Sequence, residues 1–202
     1  SLAEMCGNGI RVMARYLVER GHQPEGIFAI NTRDGVKHLR VPAKDDISVN
    51  MGKVIDEGEA VTASVEGKIW NGYHISVGNP HAVVFVEKIE DVGSLKDAPV
   101  VRPRDSYPEG VNVEFVEITA EREIKMRVHE RGSGETRSCG TGTCAVAMAA
   151  TLHTNTSLPA RWVIYPPGGR LVVDIDPHAN ATLIGPAVLL KDIDVTGYLQ
   201  DA

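Results

Sequence analysis

Apolar residues recur along this chain at two different spacings, and together they predict two helices set among many strands. Ile10, Met13, Ala14, Leu17 and Val18 stand at i, i+3, i+4, i+7 and i+8, the stripe of an amphipathic helix, and Gly21 is placed to end it. A second apolar stretch, 144–152, is Ala-rich and predicts a buried helix. Elsewhere the pattern is short and partly alternating. Strands are expected over 26–31, 36–41, 47–51, 60–65, 68–77 and 81–87, then over 111–119 and 124–130. After the second helix they are expected over 161–165, 170–175, 181–184 and 187–191. Turn signals separate them, such as Arg33-Asp34-Gly35, Lys44-Asp45-Asp46 and Pro166-Pro167-Gly168-Gly169. The acidic, Pro-containing segment 90–110 predicts a loop with one short helix.

This is an α+β pattern, without the alternating βαβα rhythm of a doubly wound sheet. It predicts mostly antiparallel strands curled around an apolar helix in each half, hence two pseudo-symmetric lobes. The second helix has strands on both sides in sequence, whereas the first has strands only after it. If the halves are repeats, strands are expected upstream of Ser1. The chain also opens without an initiator Met, so a piece of a longer protein is expected.

The helix entries carry the candidate chemistry. Met5-Cys6-Gly7-Asn8-Gly9 leads into the first helix and Ser138-Cys139-Gly140-Thr141-Gly142 into the second. A cysteine just before a helix faces unpaired N–H groups and the positive end of the helix dipole, which favour a thiolate or a bound anion. One such turn is more often plain structure. Its repetition as Cys-Gly-x-Gly in both halves is an internal duplication and sets two cysteines as a candidate pair. One would take a proton from carbon and the other donate one from the opposite face. Cys144 lies within the second helix and is expected to pack in the core.

Further candidates are polar residues in apolar or turn settings. Asn79 and His81 follow Gly78 between two strands; Asn could fix a carboxylate or ammonium group, and His could tune a thiol's protonation. Asn112 lies in an apolar strand, and Glu130-Arg131 precede the second cysteine. Arg can clamp a carboxylate through two parallel hydrogen bonds. Each has a plainer alternative as a turn residue, a solvent-facing strand position or a surface ion pair.

Composition narrows the classes. The chain has 202 residues, 43% of them apolar and 24% charged, as in soluble globular proteins. A net charge of −6 without a basic run argues against nucleic acid or an anionic membrane as partner. Three cysteines form no evident disulfide framework and suit a reducing, cytoplasmic setting. No metal-ligand spacing and no pyridoxal-binding signal is visible, so no cofactor is expected. A homodimer is compatible with the sequence.

At AEMCGNGIR, GNPHAV (78–83), GVNVE (110–114) and ERGSGET…CGTG (130–142) the chain strongly resembles the diaminopimelate epimerase family. The resemblance implies a cofactor-independent isomerase interconverting LL- and meso-diaminopimelate in lysine and cell-wall precursor synthesis. It implies Cys6 and Cys139 as the acid/base pair. Gly7, Asn8, Gly140 and Thr141 would hold the reacting carboxylate. Asn79, Asn112, Glu130 and Arg131 would bind the substrate, mostly at its unreacting end, and His81 would support the cysteines. It implies one lobe of residues 1–52 with 186–202 and another of 53–185, and a further N-terminal segment that this sequence lacks. Proline racemases share the two-cysteine logic, but a histidine typically stands where Asn8 is here. Two other classes remain to be separated by experiment: a cysteine-nucleophile hydrolase using Cys139 and His81, and a non-catalytic binding module.

Overall fold

The first apolar stripe does form a helix, α1 (Gly7–Glu19), but the helix begins three residues earlier, directly after Cys6. We describe residues 5–190 of a computed structural model. Helix α1 buries Ile10 and Ala14 as the periodicity predicts, yet Met13 is 51% exposed while Arg11 and Arg15 are buried. The arginines bury because carbonyl oxygens await them. Arg15 donates to the carbonyls of Pro42, Ala43 and Asp45, and Arg11 to those of Gly7 and Pro186. Polar groups satisfied in this way enter a core at little cost. Arg20 caps the helix, and Gly21 turns the chain at φ +72°, a region that glycine adopts without strain.

Thirteen strands follow: β1 (Gly26–Thr32), β2 (Gly35–Val41), β3 (Ile47–Lys53), β4 (Ile55–Val65), β5 (Lys68–Ser76), β6 (Pro80–Phe85), β7 (Val100–Arg102), β8 (Asn112–Ala120), β9 (Glu123–Glu130), β10 (Gly134–Thr136), β11 (Ala160–Tyr165), β12 (Leu171–Ile175) and β13 (Asn180–Gly185). They form one sheet in the order β1-β2-β3-β13-β12-β11-β9-β8-β6-β5-β4-β7, with β10 paired to β9. All pairs are antiparallel except β6 with β8 and β11 with β9. The fold is therefore α+β, as the pattern predicts.

Four local expectations are corrected. The segment 90–110 opens with the one short helix expected there, a 3-10 helix (Ile89–Val92), but also contains the edge strand β7. Strand β4 starts at Ile55 and reaches its later register past an irregularity between Asp56 and Ala60, where Gly58 has φ +70°. The short strand β10 carries too few residues for alternation to reveal it. Residues 187–190 of the strand expected over 187–191 run without strand pairing after Pro186, and Lys191 lies outside the described residues.

Helix α2 (Gly140–His153) organises the interior. Every residue through Thr151 is buried, so this helix has no solvent face and the sheet wraps it. It touches β5, β6, β8, β11, β12 and β13. Its alanines let strands approach closely. Its buried hydroxyls are satisfied locally, Thr143 donating to Cys139 O and Thr151 to Ala147 O, each at 2.7 Å, while the indole of Trp162 donates to Thr151. The main apolar cluster joins both helices to β3, β9 and β11–β13, and a second one lies around Val84, Leu95 and Phe115. Each fully buried Leu, Ile or Phe in them contributes about 1.5–3 kcal/mol.

Candidate active site

Both cysteines predicted at helix entries are the N-caps of their helices. Cys6 is extended (φ −126°, ψ 104°) and its Sγ accepts from the Gly9 N–H at 3.3 Å. Cys139 repeats the arrangement (φ −118°, ψ 122°), its Sγ accepting from the Gly142 N–H at 3.4 Å. A sulfur in the capping position does for these helices what a Ser or Asp oxygen does elsewhere.

The two N-termini abut. A Cβ added to Gly140 would lie 2.9 Å from Gly7 Cα and 3.1 Å from Gly7 N, so only glycine at both positions permits this approach. Asn8 reaches across to Ser138 O at 3.5 Å. The first-turn N–H groups of two helices thus converge on one region, each carrying the positive end of a dipole. Arg11, which the sequence reading did not single out, braces it. Its guanidinium donates to Gly7 O at 3.0 Å and to Asn8 Oδ1 at 2.8 Å. Burial pulls its pKa below the ordinary arginine value, while Cys6, Asp46 and Cys144 act in the opposite sense.

The remaining candidates arrive from the strands. Parallel pairing of β6 with β8 sets His81 opposite Asn112. Asn112 donates to Pro80 O and accepts from the Arg131 N–H, at 3.1 and 3.0 Å. His81 is fully buried between Glu114 Oε1, 2.7 Å from Nδ1, and Asn79 Oδ1, 3.1 Å from Nε2. Asn79 Nδ2 meets Thr141 Oγ1 at 3.4 Å, and Thr141 Oγ1 lies 3.5 Å from Cys139 Sγ. Glu130 accepts from the Thr136 hydroxyl across the β9–β10 pair. A recess of about 20 Å³ opens between Met5, Asn79 and Thr141. Cys6 through Asn8, Asn79, His81, Asn112 and Cys139 through Thr141 therefore belong to one connected neighbourhood.

Arg131 is the outlier. Its backbone is anchored on Asn112, but its guanidinium turns to Glu109 at 4.0 Å, and its stem lines a cavity of about 570 Å³ beside Gly110, Val113 and His129. Val113 and His129 are register partners on β8 and β9, so that cavity lies on the reverse face of the sheet from Glu114, which packs against Gly142 of α2.

The two sulfurs differ in setting. Cys6 is exposed, and Cys139 is 9% exposed. Burial, then the charges of Glu114 and Glu130, push the Cys139 thiol up to about 12, against smaller lowering by Thr141 and the Gly142 N–H. The helix entry favours a thiolate, but desolvation here outweighs it. Cys144 is fully buried in the core, as predicted, and burial raises its thiol further. An acid with a raised pKa stays protonated until pH approaches that value. At pH 8 Cys139 is therefore almost wholly thiol. Iodoacetamide should accordingly label Cys6 well before Cys139, and Cys139 should become competitive as pH rises toward 12. Peptide mapping checks this, and equal rates for the two at pH 8 would contradict it.

Residues 73–190 match the family model described as diaminopimelate epimerase. The chain is 45% identical over 197 residues to a diaminopimelate epimerase of Streptomyces coelicolor, covering 95% of this chain and 68% of that protein. It is 42% identical to one from Thermobifida fusca, covering 96% and 69%, and 34% identical to one from Bacillus pumilus, covering 93% and 72%. The chain belongs to the diaminopimelate epimerase family. Its members are amino-acid epimerases, hence isomerases. A hydroxyproline epimerase from Agrobacterium vitis shares the fold at a TM-score of 0.70 and 14% identity, over 93% of this chain and 66% of that one. A phenazine biosynthesis protein of the PhzF family from Bacillus anthracis does so at 0.70 and 16%, over 94% and 75%. Among the described residues, no helix is long and apolar enough to cross a membrane.

Proposed function

We propose that this epimerase interconverts LL- and meso-2,6-diaminopimelate without a cofactor, using Cys6 and Cys139 as a thiolate/thiol pair. The observation that carries the reading is the pair of abutting helix N-termini, each capped by one of these sulfurs. In this reading the α-carboxylate sits between the helices and accepts from N–H groups of Gly7, Asn8, Gly140 and Thr141. Removal of the α-proton drives negative charge onto that carboxylate, where the converging dipoles stabilise it most. One sulfur takes the proton and the other returns one from the opposite face, inverting the carbon. The pair shares its titration, so its pKa values belong to the couple once a substrate lies between them. In the free protein burial holds the proton on Cys139.

Asn79, Asn112, Glu130 and Arg131 bind the distal amino-acid end, and His81 supports Cys139. The distal carboxylate draws the Arg131 guanidinium away from the exposed Glu109, a weak partner at 4.0 Å. Of the two expected lobes, residues 5–52 with 186–190 would make up one beside this site and 53–185 the other; 1–4 and 191–202 lie outside the described residues. Such an enzyme would serve lysine and cell-wall precursor synthesis, and a reducing, cytoplasmic setting would suit its two thiols.

The test is incubation of either stereoisomer in D2O. Solvent deuterium should enter at one α-carbon together with conversion to the other isomer, and no amine or alcohol should be released. Release of such a product would favour the hydrolase alternative. Arg131→Lys should raise KM about tenfold or more with a smaller change in kcat, because an ammonium cannot reproduce the planar fork. An unchanged KM in steady-state assays would remove Arg131 from the distal end.

A further inference from the structure

Four contacts described above join end to end. Glu114 meets His81, His81 meets Asn79, Asn79 meets Thr141, and Thr141 meets the sulfur of Cys139, at 2.7, 3.1, 3.4 and 3.5 Å. Hydrogen bonds have direction, so such a chain is consistent in few ways. Asn79 turns its Oδ1, which only accepts, toward His81 Nε2, so Nε2 carries a hydrogen. Glu114 approaches Nδ1 of the same ring. One hydrogen lies between Glu114 Oε1 and Nδ1, so the carboxyl group fixes the orientation of the ring.

Burial points the same way. Both side chains are 0% exposed, and Glu114 Oε2 has no hydrogen-bond partner. A buried carboxyl group without other partners is held in place by its one close contact, the His81 ring. With that polarity set, Asn79 Nδ2 donates to Thr141 Oγ1, and the Thr141 O–H is left to point at Cys139 Sγ.

We propose that Glu114 is a positioning residue for Cys139: it fixes His81 with an N–H toward Asn79, so that Asn79 and Thr141 deliver the Thr141 hydroxyl hydrogen to the Cys139 sulfur. The inference rests on the two-cysteine reading for its consequence in catalysis, and on geometry alone for its consequence at the sulfur. The close fit of Glu114 against α2 supports it. A Cβ on Gly142 would fall 2.5 Å from Glu114 Oε1, so the carboxyl group is wedged beneath the turn that presents Cys139.

The experiment measures Cys139 alkylation by iodoacetamide between pH 8 and 10, by peptide mapping of the folded, substrate-free chain. Epimerisation kinetics are followed in parallel, and circular dichroism checks folding. Thr141→Val should slow Cys139 alkylation about tenfold and leave Cys6 unchanged, and Thr141→Ser should restore the rate. Glu114→Leu, which fills the space but cannot hold the ring, should slow Cys139 similarly and lower kcat with KM within about threefold. The double variant Glu114→Leu/Thr141→Val should be no slower than Thr141→Val, because both changes break one chain. Glu114→Gln can donate to His81 Nδ1 and keeps the polarity while removing the charge that raises the Cys139 thiol, so it should alkylate at the parent's rate or faster.

Three outcomes overturn the proposal. One is a Thr141→Val rate equal to the parent's. Another is multiplicative loss in the double variant. The third is a tenfold loss in Glu114→Gln, which keeps a donor toward the ring. Should Glu114→Leu fail to fold, the Thr141 pair and Glu114→Gln decide. Alkylation needs no substrate, so failure of the diaminopimelate reading leaves it intact, and failure of this chain leaves the parent's epimerisation intact.

Discussion

Cys6→Ala and Cys139→Ala should each lose epimerisation by about 10²–10⁴-fold or more, the range over which a positioned acid or base acts. Neither loss should come from misfolding. Cys6 is exposed, and its sulfur accepts one weak cap hydrogen bond from the Gly9 N–H. Cys139 loses two sulfur contacts, with Thr141 and Gly142. What survives should be informative. With Cys139 gone, Cys6 can still take a proton from its own face and return solvent hydrogen to that face. That exchanges the α-hydrogen of one stereoisomer without inverting it. With Cys6 gone, the exchange should move to the other stereoisomer. Proton NMR in D2O, run separately on each pure isomer, separates these cases. Cys144→Ala is the control: its thiol is sealed in the core of α2, so it should cost some stability and leave turnover near the parent's. Exchange from both faces in either Ala variant would remove the two-base mechanism.

The parts of this site legible in the sequence were those carried by local geometry. A helix stripe and a cysteine before a glycine turn state where a helix starts, and the structure caps both helices with those residues. The apolarity of 144–152 likewise signals a helix without a solvent face. What stayed hidden depends on partners distant in sequence. Periodicity assigns Arg11 and Arg15 to solvent, because it cannot see the carbonyls of Pro186, Pro42 and Asp45 that receive them. It puts Met13 in the core, where the arginines take its place.

Glu114 is instructive, since a signal did exist. It stands two residues after Asn112 on β8, so strand alternation aims both at the same face. A charged residue there, flanked by Val113 and Phe115, signals a buried partner. That the partner is His81 follows only from the parallel pairing of β6 with β8 across the intervening loop and edge strand. The pairing of β13 with β3, which joins the end of the described chain to its beginning, is equally invisible to any local pattern.

Gly140→Ala tests the geometric premise itself, and a single methyl group is enough. The added Cβ would meet Gly7 Cα at 2.9 Å and Gly7 N at 3.1 Å, both backbone atoms of the facing helix, with Leu183 behind at 3.4 Å. Side chains can rotate away from such a contact, whereas the first turn of α1 cannot. It is held by the Arg11 bonds to Gly7 O and Asn8 Oδ1. The helices have to separate by a few tenths of an ångström or more, and overpacking of this kind costs about 1–3 kcal/mol. Denaturant unfolding should show that loss. The catalytic effect should be larger than the stability effect. A carboxylate between two helix N-termini needs donors from both at once, and a displacement near 1 Å lowers rates by about 10²-fold. Alanine is a better helix former than glycine, so the change cannot weaken α2 by propensity. Gly7→Ala is the milder counterpart, since its nearest contact is the mobile Leu183 Cδ2 at 2.8 Å and the facing Gly140 Cα lies at 3.2 Å. The expected order of activity is parent, then Gly7→Ala, then Gly140→Ala. If Gly140→Ala turns over at the parent's rate, the reacting carboxylate does not sit between these two helices.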